Sequence, residues 1–369
     1  MRILQISSAK TFGGGEKHFV DLCKGLTEKG HDVFVSLHKD NSWEESLDFL
    51  PTENRLHISL RNSLDVLSAR KIGRFLKNGD IDIIHAHLAR DYPPASLAVR
   101  FFPKSKLILT RHVLFPMASI HKLVLRNVSK VIAVSSTVET NLAKTFPKNK
   151  IVCIPNGIEI EKWADLKHEE QSKEFLLERN IPVKVPLIGT VGELTPLKGQ
   201  EDFVLAAHEV VKEFPDAHFV IVGKDNSIKK SYRQKLKRLV KVLKLEENFT
   251  FLNWVEDTSR LLSALDIFVS ASHSESFGLA ILEAMASGTA IIATNTDGAR
   301  ELLQTNEVGI LTPIENPVGL AKKICELLKD KEKKENLGKK ALVFARENFH
   351  VQRMIDQTER IYSSVLRLS

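Results

Sequence analysis

Between Asp266 and Glu301 the chain runs D-I-F-V-S-A-S-H-S-E-S-F-G-L-A-I-L-E-A-M-A-S-G-T-A-I-I-A-T-N-T-D-G-A-R-E. An apolar run, Ile267 to Val269, enters a short polar turn that ends at Glu275-Ser276-Phe277-Gly278. A helical stretch follows with Glu283 expected two turns in, then Gly288, then a second apolar run from Ala290 to Ala293. Strand, turn, helix and strand in that order predict a βαβ unit, and such a unit commits its neighbourhood to a parallel sheet covered by helices. The first turn of its helix has backbone N–H groups without internal partners. With the helix dipole they make a site for phosphate. Glu275 and Glu283 add acceptors for hydroxyls on either side, a combination suited to a sugar nucleotide.

The same alternation extends over both halves of the chain. In the first, Arg2 to Ser7 predicts a strand, Gly13-Gly14-Gly15 a turn, and Glu16 to Leu26 a helix with Phe19, Leu22, Cys23 and Leu26 on one face. His31 to Leu37, Ile81 to His85, Leu107 to Thr110 and Val131 to Val134 predict further buried parallel strands. Helices are expected over Leu64 to Lys77 and Tyr92 to Phe101. A second cycle starts near Pro186. Its strands are Leu187 to Val191, His218 to Val222, Phe249 to Leu252 and a last one around Gly309 to Leu311. Helices are expected at Glu201 to Phe214 and Lys229 to Leu243. The polar stretch Asn156 to Pro186 is taken as a linker plus a first helix, and Ala345 to Leu368 as one terminal helix. A chain of 369 residues exceeds what one core usually organises, so two doubly wound α/β domains are expected.

Composition narrows the class. Lys plus Arg number 53 and Asp plus Glu 46, a net charge of +7 with pI near 9.1, which suits anionic partners. Cys23, Cys153 and Cys325 are odd in number and widely spaced. They favour a reducing compartment over a disulfide framework or zinc site, and each is expected to be buried. Met1 leads directly into the first strand, and no apolar stretch is long enough to span a bilayer. A cytoplasmic protein is expected, or one peripheral to the cytoplasmic face of a membrane. The mixed apolar and basic segments Phe115-Pro116-Met117 and Lys122 to Arg126 form either an amphipathic helix for an anionic membrane or an ordinary half-buried helix.

The string E-S-F-G-L-A-x-x-E-A-M-A-x-G resembles the carboxylate motif of retaining GT-B glycosyltransferases, particularly glycosyltransferase family four (glycosyl transferases group 1). The resemblance implies two Rossmann-like domains facing a central cleft, with a C-terminal helix crossing back to the first domain. The divisions would be 1–160 for acceptor, 161–345 for nucleotide sugar, and 346–369 for the returning helix. It further implies metal-independent transfer without a cofactor, from a UDP- or GDP-sugar to a glycan, lipid-linked or small-molecule acceptor. Cell-envelope or polysaccharide biosynthesis is the implied setting, with no nucleic acid as partner.

Site residues carry over one at a time. Glu275 would hold hydroxyls of the donor sugar, and the backbone of Ser276, Phe277, Gly278 and Leu279 the diphosphate. Glu283 would take the ribose hydroxyls. Gly192-Glu193-Leu194-Thr195-Pro196-Leu197-Lys198-Gly199 resembles the family's G-R-L-x-x-x-K-G turn, in which Lys198 clamps the diphosphate. Where the family has arginine this chain has Glu193, and Arg111, Lys10 and Arg300 are candidates to replace that cation. Trp254 and Val255 would line the base pocket, unless Trp254 is simply core. Gly14 and Gly15 would approach the donor phosphate, and Gly15, Glu16 and His112 would face the acceptor. His112, Glu275 and Lys198 form the implied catalytic set. His85 and His87 have spacing that suits a metal but lack a third ligand in sequence, and are taken as cleft or packing residues. Two alternatives remain at this stage: another sugar-nucleotide enzyme such as a UDP-N-acetylglucosamine 2-epimerase, and a non-enzymatic nucleotide- or nucleic-acid-binding protein.

Overall fold

The computed structural model describes residues 1–60, 65–117, 121–164, 168–255 and 257–367. The expected helix residue Leu64 and the terminal Leu368 lie outside them. The chain divides into two units, residues 1–157 with 351–369, and residues 158–350.

In the first unit, apolar runs form seven strands among the described residues. They are β1 (Arg2–Ser7), β2 (Asp32–His38), β3 (Arg55–Ile58), β4 (Ile83–Ala86), β5 (Lys106–Arg111), β6 (Val128–Ala133) and β7 (Ile151–Cys153). All pairings are parallel in the order β3-β2-β1-β4-β5-β6-β7. The order reverses direction between β1 and β4, and ligands of such sheets gather outside the strand carboxyl ends at that point. β3 and β7 were not expected, because four residues and three are too short for an alternation signal.

The second unit repeats the plan with β8 (Leu187–Val191), β9 (His218–Val222), β10 (Phe249–Leu252), β11 (Ile267–Ser270), β12 (Ala290–Thr294) and β13 (Ile310–Thr312). Its order is β10-β9-β8-β11-β12-β13, again parallel, with the reversal between β8 and β11. Two parallel-sheet Rossmann-like units make the molecule α/β of the GT-B kind.

Three expectations need correction. The stretch after Asn156 is not a linker. Ile158, Ile160, Trp163, Phe175 and Leu176 are buried, and the short helices Glu161–Ala164 and His168–Glu178 belong to the second unit. Burial of these apolar side chains draws the stretch into the second unit despite its polar composition. The expected terminal helix is two: Lys331–Asn348 in the second unit and Val351–Arg367 in the first. Phe349 breaks them by turning inward against Phe277 and Phe344, each with a ring separation of 5.9 Å. The last helix then buries Met354, Ile355, Tyr362 and Val365 in the first core. The Tyr362 hydroxyl accepts from Gln5 Nε2 at 3.0 Å on β1. Finally, Cys23 is buried as expected, whereas Cys153 and Cys325 are half-buried; no disulfide joins them.

Among the described residues, no helix is long and apolar enough to cross a membrane.

Candidate functional site

In the second unit, two loops leave neighbouring strands on either side of the reversal point, and both belong to the expected donor site. The loop after β8 carries Gly192 to Gly199 and the loop after β11 carries Ala271 to Gly278. They are stitched together by their own backbone: His273 donates its N–H to the Leu197 carbonyl at 2.8 Å. Gly199 has φ +63°, and a Cβ there would fall 1.9 Å from the Ala271 carbonyl oxygen. Only glycine fits both the conformation and the approach.

Across that seam, the Lys198 ammonium forms a short ion pair with Glu275 Oε1. Ser272 Oγ also donates to Glu275 Oε1 at 3.1 Å. The Glu275 side chain is 13% exposed and that of Lys198 32%. The carboxylate is thus held on two sides, yet both groups still reach solvent. On its far side the loop rests on the helix Asp297–Leu302: Gly298 donates its N–H to the Glu275 carbonyl at 3.0 Å. A Cβ on Gly298 would meet the Phe277 backbone at 2.6 Å. Thr294 Oγ1 donates to the Ser272 carbonyl. Gly298 and Thr294 had no expected role, although the D-G-A-R turn that carries Gly298 was visible in the sequence.

Gly278, at φ +96°, opens the helix Leu279–Ala286. Glu283 therefore lies one turn into that helix rather than two, because the helix starts after the polar turn and not within it. Its neighbours Leu282, Ala284 and Met285 are buried while Glu283 is half-buried. Ser276 and Leu279 are likewise half-buried, and Phe277 is buried as a support beneath them. The resulting surface has a lysine, two carboxylates and a helix start, which can receive an anion and adjacent hydroxyls.

Glu193 is exposed and accepts from Asn226 Nδ2 at 2.9 Å. Of the candidate substitute cations, Arg300 in this unit is tied to Asp297 and to the Asn295 carbonyl at 3.0 Å. Lys10 and Arg111 belong to the first unit. Lys10 pairs with Asp40 at 3.5 Å, and Arg111 is buried and donates to the Phe115 carbonyl. Trp254 follows β10 with 45% exposure, so it is not core; Val255 beside it is half-buried.

In the first unit, Gly14 and Gly15 are not a turn. They begin the helix Gly14–Glu28, with Gly13 extended before them at φ −156°. Two glycines disfavour a helix interior but cost little in its first turn. Glu16 is buried and folds back to that helix start. Burial raises its carboxyl pKa, opposed by the Gly13 and Glu16 backbone N–H groups. The backbone donors expected to meet a phosphate are therefore faced by the protein's own carboxylate.

His87 follows β4 and His112 follows β5, and His18 projects from the helix Gly14–Glu28. His87 Nδ1 stands 3.4 Å from His112 Nε2. Ring nitrogens of all three lie within 4.8 Å of one another. The third ligand that the sequence withheld from His87 is thus supplied by tertiary structure, while His85 turns to Tyr362 and Thr110 at 2.6 and 2.7 Å. Burial, the leading cause, pushes the pKa of His18 down to about 4 and those of His87 and His112 well below the usual imidazole range. The cluster is neutral near pH 7.

The segment read as either an amphipathic membrane helix or an ordinary half-buried one contains a single helical turn, His121–Val124, followed by buried Leu125. Phe115 and Leu123 are exposed, as are Lys122 and Arg126.

Two family models match the chain: Glycosyltransferase Family 4 over residues 12–162, and Glycosyl transferases group 1 over residues 172–343. Among curated proteins it is similar to the N-acetyl-alpha-D-glucosaminyl L-malate synthase of Bacillus anthracis. That match is 26% identical and covers 98% of this chain and 97% of the relative. A UDP-Gal:alpha-D-GlcNAc-diphosphoundecaprenol alpha-1,3-galactosyltransferase of Escherichia coli is 29% identical, covering 71% and 70%. Among solved structures, a glycosyltransferase from Rickettsia africae matches with a TM-score of 0.89 at 25% identity, covering 100% of this chain and 99% of that one. Anabaena HepE in complex with UDP-glucose matches in fold with a TM-score of 0.86 at 23% identity, covering 99% and 100%.

Proposed function

The chain belongs to glycosyltransferase family four, the group 1 glycosyl transferases, and from that premise we propose that it is a retaining, metal-independent enzyme. It moves a sugar from a UDP- or GDP-linked donor to a glycan, lipid-linked or small-molecule acceptor in envelope or polysaccharide synthesis. The observation that carries this reading is the Lys198–Glu275 pair, held between two stitched loops beside the start of the Glu283 helix.

Each group has a part that its position supports. Lys198 and the Ser276-to-Leu279 backbone receive the diphosphate. Their charge and dipoles are fixed before reaction, so they stabilise negative charge as it grows on the leaving phosphate. Glu275, oriented by Lys198 and Ser272, accepts from donor-sugar hydroxyls. Glu283 accepts from the ribose, while Trp254 and Val255 meet the base. Gly14 and Gly15 adjoin the donor phosphate once Glu16 gives way, and Gly15, Glu16 and His112 position the acceptor. The acceptor hydroxyl oxygen bonds to the anomeric carbon as the bond to the phosphate oxygen breaks. Its proton passes to that departing oxygen, and configuration is kept because both events share one face. The exposed Leu123 next to Lys122, with Arg126 also exposed, supports peripheral contact with an anionic membrane surface.

The test is a panel of nucleotide sugars incubated with and without EDTA, with the released or transferred sugar examined by NMR for anomeric configuration. Retained configuration and unchanged turnover in EDTA are expected. Inverted product, an epimer, or activity abolished by EDTA and restored by Mg²⁺ would each remove the assignment.

A further inference from the structure

We propose that His18, His87 and His112 form a binding site for one borderline-soft divalent cation such as Zn²⁺, acting as a brake on transfer. His87 and His112 approach through Nδ1 and Nε2 at 3.4 Å. Two nitrogens bound at about 2.05 Å to a tetrahedral zinc stand about 3.3 Å apart, so this pair already has the spacing of two ligands on one metal. His18 brings a third ring nitrogen within 4.8 Å, a gap that a small rotation of its ring must shorten before one ion is shared. It is 3% exposed, and neither of its ring nitrogens makes a hydrogen bond of ordinary geometry, its one polar neighbour of note being the Asn156 side chain. Buried polar atoms usually find good partners, so weakly partnered imidazole nitrogens beside two other imidazoles suit an electrophile.

The support behind His87 is that of a metal ligand. Its Nε2 meets Gln5 Oε1 at 2.9 Å, and Gln5 Nε2 is committed to the Tyr362 hydroxyl. Gln5 therefore presents an acceptor, Nε2 carries the proton, and Nδ1 is left with its lone pair toward His112. An outer carbonyl that fixes tautomer and orientation is the usual second support of a ligating histidine. His112 is half-buried, which leaves an approach from solvent and room for a water or hydroxyl as fourth ligand. Three histidines and an open position match zinc better than magnesium or calcium, which prefer oxygen.

The braking role rests on the acceptor assignment of His112 made above. A bound cation holds that imidazole, so it withdraws His112 from the acceptor without touching Lys198 or Glu275.

Tag-free protein treated with EDTA and then titrated with Co²⁺ tests the site. One cobalt per chain is expected, with the visible absorption of a four-coordinate ion that Zn²⁺ displaces. His18→Gln should weaken binding at least tenfold, and His18→Cys should keep it and add a thiolate-to-cobalt absorption. That second variant distinguishes lost ligation from a misfolded core. No cobalt spectrum in the unmodified protein, or an undiminished one in folded His18→Gln, overturns the site. Micromolar Zn²⁺ should inhibit transfer, with relief by EDTA and resistance in His18→Gln. Cobalt bound with no inhibition by zinc keeps the site and overturns both the brake and the acceptor role of His112.

Discussion

The lysine–carboxylate loops of the second unit and the histidine cluster of the first occupy equivalent places. Each sits at the carboxyl ends of parallel strands where strand order reverses, but they are built from opposite materials. The second unit uses opposite charges held half-exposed, Lys198 against Glu275, an arrangement that offers an incoming anion a cation to share. The first unit uses imidazoles under strong desolvation. One site is prepared for charge, and the other keeps charge out until a ligand or metal brings it. The same fold position thus carries two electrostatic regimes, set by the side chains around it.

The largest effect that would sharpen this comparison is at Lys198. With Glu193 exposed and turned to Asn226, and Arg300 tied to Asp297, Lys198 is the named cation placed against Glu275, the carboxylate proposed to be catalytic. Lys198→Ala should lower kcat by about 100-fold or more, with donor affinity less affected, in steady-state assays over a range of donor. A loss confined to KM would mean that the charge contributes to ground-state binding alone.

A smaller change is expected at Glu283, because the ribose contacts proposed for it would not alter as the sugar departs. Glu283→Gln should raise the donor KM about tenfold with kcat nearly unchanged, the pattern of uniform binding. An equal fall in kcat would show that Glu283 acts on the reacting sugar.

In the first unit the measurable quantity is pH-dependent stability. Asp91 is fully buried and accepts the Ser8 N–H at 3.0 Å; burial dominates and pushes its pKa up to about 7. The unfolded chain releases that proton near pH 4, so between about pH 4 and 7 the native state binds more protons. Stability contributed by this group is therefore present at the acid end and is lost as pH rises through that window. Denaturant titrations of Asp91→Asn should show a shallower fall over the same range. An unchanged slope would mean that Asp91 is ionised in the folded protein.

The smallest effect is expected at Glu193. Its exposure and its contact with Asn226 rather than Lys198 predict that Glu193→Arg shifts stability by less than about 0.5 kcal/mol. Donor hydrolysis and transfer should change little and together. If transfer alone fell, Glu193 would be an acceptor contact.

The difference between the two regions also governs how much of each was legible beforehand. Glu275, Phe277, Gly278 and Glu283 fall within one continuous βαβ segment, so their spacing along the chain already places them around one helix start. The strands Arg2–Ser7, Leu187–Val191, His218–Val222 and Phe249–Leu252 were legible to the residue, since each is a short apolar run with clear stops. β3 and β7 were not, being too short to show a period. The three-dimensional contacts that steady Glu275 were not legible either. Gly298 acts through its backbone N–H and Thr294 through a hydroxyl on the Ser272 carbonyl, long-range contacts that no local pattern announces.

His18, His87 and His112 lie on a helix and after two different strands, and they meet because β1, β4 and β5 are adjacent in the sheet. Strand order is a property of long-range pairing, so no local pattern states it. By itself the sequence determined the alternating strands and helices, the two-unit α/β plan and the contiguous donor motif, because periodicity and turn chemistry act between near neighbours. Only the tertiary structure decided where Phe349 ends one helix and frees the next, that Ile158, Ile160, Trp163, Phe175 and Leu176 are buried in the second unit, and that three distant histidines meet. Those outcomes depend on which apolar faces bury one another, and that competition is settled between segments far apart in the chain.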